Sequence, residues 1–310
     1  MEAAQTIKLT HWLNLKAMEF EKKREFREAA HYLSLFLRRL TKTARTEEVD
    51  VAQLADVHYR LGMAHRGLKD TSKSMYHLKY SIRLNSSEPR YYEAYGRAYL
   101  TSGHWRVAKT QFEKAIQLQP KNTTYLRQYA WVLLMMGRKE EAKKYSERAL
   151  ELAPKSREGK WTLVRVYMES NLYVQAWALL KKMQKSTPHS MRLFNLLQEC
   201  ESQLETTFEG MVLKILRRGM KADGDPFSLL DLKLAEEFWV EHCLKMVDRP
   251  LTEVSSPYRW AAAVCWYVAH KRQILGLESE EIFERFAVHS SDVWPCLKRL
   301  QGEAAVEVAS

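Results

Sequence analysis

The chain has only four cysteines in 310 residues, Cys200, Cys243, Cys265 and Cys296, and no two form a CxxC pair. That spacing argues against a disulfide framework and a zinc site, and it fits a reducing compartment, so the chain reads as a cytoplasmic protein. Long apolar runs are missing as well: the longest, Trp260 to Ala269, is about half of what a membrane span requires. The amino terminus, MEAAQTIKLTHW, lacks the basic start and apolar core of a secretory leader. No glycine-rich phosphate loop, nucleophile elbow or kinase-like motif set occurs, and the ten histidines include no HExxH pair. His58 and His65 are spaced to share a helix face, but one of them falls at a packing position. His242 and Cys243 are sequence neighbours and point in different directions on a helix. Carboxylate pairs such as Glu236 and Glu237 read as a solvated helix face. The expectation is a protein that is not an enzyme and carries neither cofactor nor metal.

Charge is present in excess of one sign. Forty-nine Lys and Arg against 38 Asp and Glu give a net +11, which draws polyanions and acidic proteins across about one Debye length. The balance is uneven: residues 223–310 hold 9 basic and 15 acidic side chains, which leaves 40 and 23 for residues 1–222. Attraction of acidic partners therefore belongs to the first two thirds of the chain.

Proline is scarce, and its placement is periodic. Pro89, Pro120, Pro154 and Pro188 follow one another at intervals of 31, 34 and 34 residues, each after a run of helix formers that it would stop. Between them a pattern repeats, clearest in YYEAYGRAYLTSGHWRVAKTQFEKAIQLQP. A first helix carries Tyr92, Tyr95, Gly96 and Tyr99, a turn falls at Gly103, and a second helix carries Ala108, Phe112 and Ala115. Small residues at Gly96, Ala108 and Ala115 let two helices cross closely. Leu126, Tyr129, Ala130, Leu133, Gly137, Ala142 and Ala149 stand at corresponding places in the next unit, and Leu163, Tyr167, Asn171, Ala176 and Leu180 in the one after. An earlier unit supplies Leu61, Gly62, Ser74, Leu78 and Ser81, a looser match because serines replace alanines. The first unit places Leu13, Ala17, Phe20, Ala29, Leu33 and Phe36, and an insertion of about eleven residues, TKTARTEEVDV, lengthens a helix or loop after it.

This pattern resembles the tetratricopeptide repeat family over residues 10–188. The resemblance implies an all-α fold, a superhelical solenoid of about five helical hairpins with capping helices from Met191 to Met220, followed by a small helical bundle. Residues 1–222 then form one domain and 223–310 a second, acidic one. In the family the first helices line the inner, partner-binding wall. Carrying those positions over names Tyr59, Met63 and Arg66, then Arg90, Glu93 and Arg97, then Arg127 and Trp131, then Trp161 and Arg165. Arginine forks hold carboxylates and aromatic rings supply contact area, so an acidic, partly apolar protein segment is the expected partner. Some members capture chaperone termini with a lysine and asparagine clamp; only Asn14 resembles it here, so that activity is not expected. A secretion-type chaperone is a further reading that the resemblance leaves open.

Beyond Lys221–Pro226 the repeat stops. Helical periodicity predicts FSLLDLKLAEEFWVEHCLKMV, SPYRWAAAVCWYVAHKRQ, SEEIFERFAV and SSDVWPCLKRLQ as helices, the second apolar nearly all round and hence central. Ser279 is expected to cap the third. The last three are similar to the end of a cyclin-box or transcription initiation factor IIB-like domain, which implies a helix-turn-helix whose Lys298 and Arg299 meet phosphates. A net −6 and Trp294 and Pro295 in the reading helix weigh against nucleic acid there.

Overall fold

A computed structural model describes residues 2–43, 50–187, 190–220, 227–245, 256–272 and 278–301. Every regular element among them is a helix, and the chain divides into two compact units, 1–169 and 170–310. The boundary expected at 222/223 lies inside the second unit, and the loop expected there, like Pro188, is outside the described residues.

The first unit is a row of antiparallel hairpins, α1 (Glu2–Lys23) with α2 (Phe26–Thr43), α3 (Val51–Gly67) with α4 (Thr71–Leu84), α5 (Pro89–Thr101) with α6 (Trp105–Leu118), and α7 (Thr123–Met135) with α8 (Lys139–Leu152), ending in α9 (Arg157–Glu169). Each second helix also packs on the first helix of the next hairpin, while α3 touches α5 and α7 touches α9 directly. This is an α-solenoid, in which each hairpin buries its apolar face only against its neighbours.

The period is written in the turns. A residue with left-handed backbone sits between the helices at Arg24, Lys69, Gly103, Gly137 and Asn171, with φ of 60°, 61°, 74°, 74° and 60°. Their intervals are 45, 34, 34 and 34 residues, so the eleven-residue insertion appears as the one long step. Glycine adopts this conformation freely, whereas a side chain there costs about 1 to 2 kcal/mol. The insertion lengthens both flanking helices: α2 has 18 residues against 14 in α4 and α6, and α3 has 17 against 13 in α5 and α7. Its middle, 44–49, is outside the described residues.

Helix crossings are close where small residues were expected. A Cβ built on Gly62 would lie 2.6 Å from Leu78 Cγ, and one on Gly96 3.1 Å from the Phe112 ring. The serines that loosened the repeat match are satisfied where they stand: buried Ser74 Oγ donates to the Gly62 carbonyl at 2.8 Å and buried Ser81 Oγ to the Leu78 carbonyl at 2.8 Å. Pro89 corrects the sequence reading. It opens α5, at a position whose amide has no intrahelical acceptor in any case, rather than ending the helix before it. Pro120 and Pro154 do fall in turns after α6 and α8.

A histidine cluster lies between α3 and α4. His58 Nδ1 is 3.1 Å from His77 Nδ1, the His65 ring stacks on His77 at 5.6 Å, and Tyr80 stacks on His58 at 5.3 Å. Burial, aided by its two histidine neighbours, pulls His77 down to about 4, and burial lowers His58 and His65 as well. Sequence spacing pairs His58 with His65 but gives no sign of His77, which arrives from the other helix.

In the second unit α10 (Tyr173–Ser186) packs on α11 (Met191–Leu204) and on α13 (Leu229–Lys245), and α12 (Phe208–Gly219) packs on α13 and α14 (Pro257–Lys271). As expected, α14 is central: Trp260 to Cys265, Val268 and Ala269 are buried, and α15 (Ser279–Arg285) and α16 (Ser290–Gln301) pack on it. Ser279 starts α15 but does not cap it. Its Oγ accepts the Trp266 indole N–H at 2.9 Å, and Glu278 holds the cap position without a side-chain bond. The expected reading helix α16 buries Val293, Cys296 and Leu297, while Lys298 is exposed.

Candidate functional site

The first helices of successive hairpins share one face, and a single carboxylate shows it. Glu93 on α5 is 8% exposed, and its charge is felt together with Arg97 on the same helix, Arg66 on α3 and Arg127 on α7. Burial raises the Glu93 carboxyl above its ordinary value, and the three guanidinium groups oppose that shift without cancelling it. Arg97 Nη1 lies 3.4 Å from Glu93 Oε1, an i,i+4 pair. Arg66 is lowered by burial and then by the nearby Arg97, and its Nη1 is buried with no hydrogen-bond partner among the described residues. The charges of three cations are therefore felt at one anion, and among the described residues one of their donors is unspent.

The remaining expected positions fall into two groups. Arg90 is engaged within the protein: Nη2 is 3.1 Å from Asp56 Oδ1, Nε is 3.4 Å from Glu88 Oε1, and the guanidinium lies over Tyr59 and Tyr91 at 5.2 and 5.3 Å. Tyr59, half-buried, has its ring 5.2 Å from Tyr91. Further along, exposed Arg165 on α9 covers the half-buried Trp131 ring of α7 at 4.3 Å, and Trp161 is half-buried one turn earlier on α9. The face thus runs from a ringed tyrosine through an arginine cluster to an arginine–tryptophan stack. Asn14 is occupied: its Oδ1 accepts from Arg60 Nη1 at 2.6 Å, and Arg60 also pairs with Glu21 at 2.8 Å.

Sequence reasoning placed Glu93 on this face but not its role as internal counter-charge. The four residues involved come from three helices about thirty residues apart, and no local spacing reports their convergence. Tyr125 on α7, whose hydroxyl feels Glu93 after burial itself, also belongs near this cluster. Among the described residues no group of three or more His, Cys, Asp or Glu is arranged to hold a metal, and no helix is long and apolar enough to cross a membrane.

A row of helical hairpins offering one polar, aromatic face is the build of a repeat-type interaction scaffold. Residues 89–122 and 128–156 match the tetratricopeptide repeat family, so this part of the chain carries tetratricopeptide repeats. No curated protein matches it in sequence. Among solved structures, a tetratricopeptide repeat protein from Parabacteroides merdae ATCC 43184 is 12% identical with a TM-score of 0.55, over 95% of this chain and 100% of that one. MamA protein is 16% identical with a TM-score of 0.47, over 57% and 91%. The first such domain of Spaghetti (RPAP3), solved bound to an HSP90 peptide, is 21% identical with a TM-score of 0.37, over 38% and 93%. The first likeness is one of fold alone.

Proposed function

We propose that this scaffold holds an acidic, partly apolar segment of a partner protein against the face shared by α3, α5, α7 and α9. The supporting observation is the charge count at Glu93: Arg97 pairs with it at 3.4 Å, Arg66 and Arg127 add their charge to the same carboxylate, and Arg66 Nη1 has no acceptor among the described residues. A partner carboxylate placed there gains charge-assisted hydrogen bonds in a partly dehydrated setting, worth about 1.5 to 3 kcal/mol each. Trp131 under Arg165 and the Tyr59 ring offer apolar area on either side.

The test uses the full chain and labelled peptides of about a dozen residues that alternate Glu with Leu or Phe, with Gln-for-Glu controls. The Glu peptides bind more tightly than the controls, and R66A/R97A/R127A removes that preference while the circular dichroism stays helical. Equal binding of Glu and Gln peptides, or an undiminished preference in the triple variant, overturns the reading.

A further inference from the structure

Among the second helices of the first unit, α2, α4 and α6 carry an excess of positive charge, while α8 is balanced with four basic and four acidic residues. Helices α2, α4 and α6 carry ten basic and two acidic residues, whereas α1, α3 and α5 carry eight and five. Of the two acids, Glu113 is held by Lys109 and by the Tyr129 hydroxyl at 2.8 Å. Helix α4, TSKSMYHLKYSIRL, has no acid at all.

Its outward face is also aromatic. Tyr76 and Tyr80, one turn apart, are 55% and 36% exposed, with ring centroids 4.9 Å apart. Arg83 places its guanidinium 5.5 Å from the Tyr80 ring, and Lys79 lies between them, exposed. Neither Lys79 nor Arg83 meets a carboxylate among the described residues. Each ring is braced from behind: His58 stacks on Tyr80 at 5.3 Å, and His77 meets Tyr76 edge-on at 5.2 Å. Two exposed rings braced by histidines, beside cations that meet no carboxylate among the described residues, are more than packing the solenoid requires.

We propose that this α4 face, with the flanking basic residues of α2 and α6, binds single-stranded RNA. Charge complementarity selects a polyanion, and the exposed ring pair selects one with flat unsaturated groups free to stack, which an acidic lipid surface or a carboxylate-rich protein does not offer. A duplex keeps its bases stacked inside, so the single strand is the form that fits. This surface is on other helices than the Glu93 cluster, and the inference stands independently of the function proposed above.

The experiment is fluorescence anisotropy on the full chain with a labelled, mixed-sequence RNA of about 16 nucleotides, across a salt series. Its duplex, the matching single-stranded DNA, heparin and phosphatidylserine vesicles serve as competitors. The variant Y76A/Y80A weakens RNA binding at least about five-fold with the salt slope unchanged, as expected for lost stacking. The variant K79A/R83A lowers the slope by about 1.4, as expected for two lost phosphate contacts. R66A/R97A/R127A leaves both unchanged. Full binding by Y76A/Y80A, or equal competition by heparin or duplex, reduces the face to a general polyanion surface and overturns the proposal. Preferential competition by vesicles or by single-stranded DNA overturns it in favour of those ligands.

Discussion

Acid should loosen the α3–α4 hairpin well before it protonates ordinary carboxylates. His77 titrates near 6.5 in an unfolded chain and is held down to about 4 in the folded one, by burial first and then by His58 and His65. Between those values the unfolded state binds more protons, so the stabilising contribution is complete above about pH 6.5 and is lost as pH falls towards 4. The full difference of about 2.5 units corresponds to about 3 kcal/mol, and because the ring is half-buried a discounted figure of about 2 kcal/mol is appropriate. His58 and His65 act in the same direction, with Asp70 partly offsetting burial at His65. Of the groups facing the cluster, Tyr76 is raised by its neighbour Tyr80 and Asp70 is lowered by its hydrogen bonds from Lys73, so neither changes charge in this window. The measurement is urea unfolding with hydrogen exchange of α3 and α4 amides at pH 7 and pH 4.5, for the wild type and for His77→Gln. The variant should show a pH dependence shallower by about 2 kcal/mol. Carboxylates with lowered values, Glu19 and Asp70, lose their contribution only at the acid end and do so in both proteins. Identical slopes in the two proteins would refute the reasoning.

Gly62→Ala should destabilise the chain by about 1 to 3 kcal/mol in urea, because its Cβ meets Leu78 Cγ at 2.6 Å and the Ser74 carbonyl at 3.2 Å. At the turns the effects have opposite signs: Gly103→Ala should cost about 1 kcal/mol at φ 74°, while Lys69→Gly, at φ 61°, should raise the melting temperature. Tyr129→Phe should cost about 1 kcal/mol in urea through loss of its 2.8 Å bond to Glu113.

The solenoid was legible because its determinants are local and periodic. Gly103, Gly137 and Asn171 announce the turns, and Ala108, Phe112 and Ala115 announce the crossing, all within one unit's length. What escaped was whatever depends on two elements meeting. Ser279 has the composition of a cap, yet the Trp266 indole claims its hydroxyl. His77 completes a cluster that α3 shows only in part. Pro89 has the form of a stop and serves as a start, since the same missing amide suits either place. On the candidate face the residue types were foreseeable, but the combined charge of arginines from three helices at Glu93 was not. The charge of α4 was open to counting, because its lack of acids is written in the sequence itself.

The left-handed turn residues recur every 34 positions from Lys69 to Asn171. A segment cut between two such points and copied in place would enter with its entry and exit already in phase, needing no new kind of joint. The array is therefore a structure whose length is adjustable by duplication or excision of whole modules, while any insertion of another size, such as that before α3, must be absorbed by stretching the helices beside it.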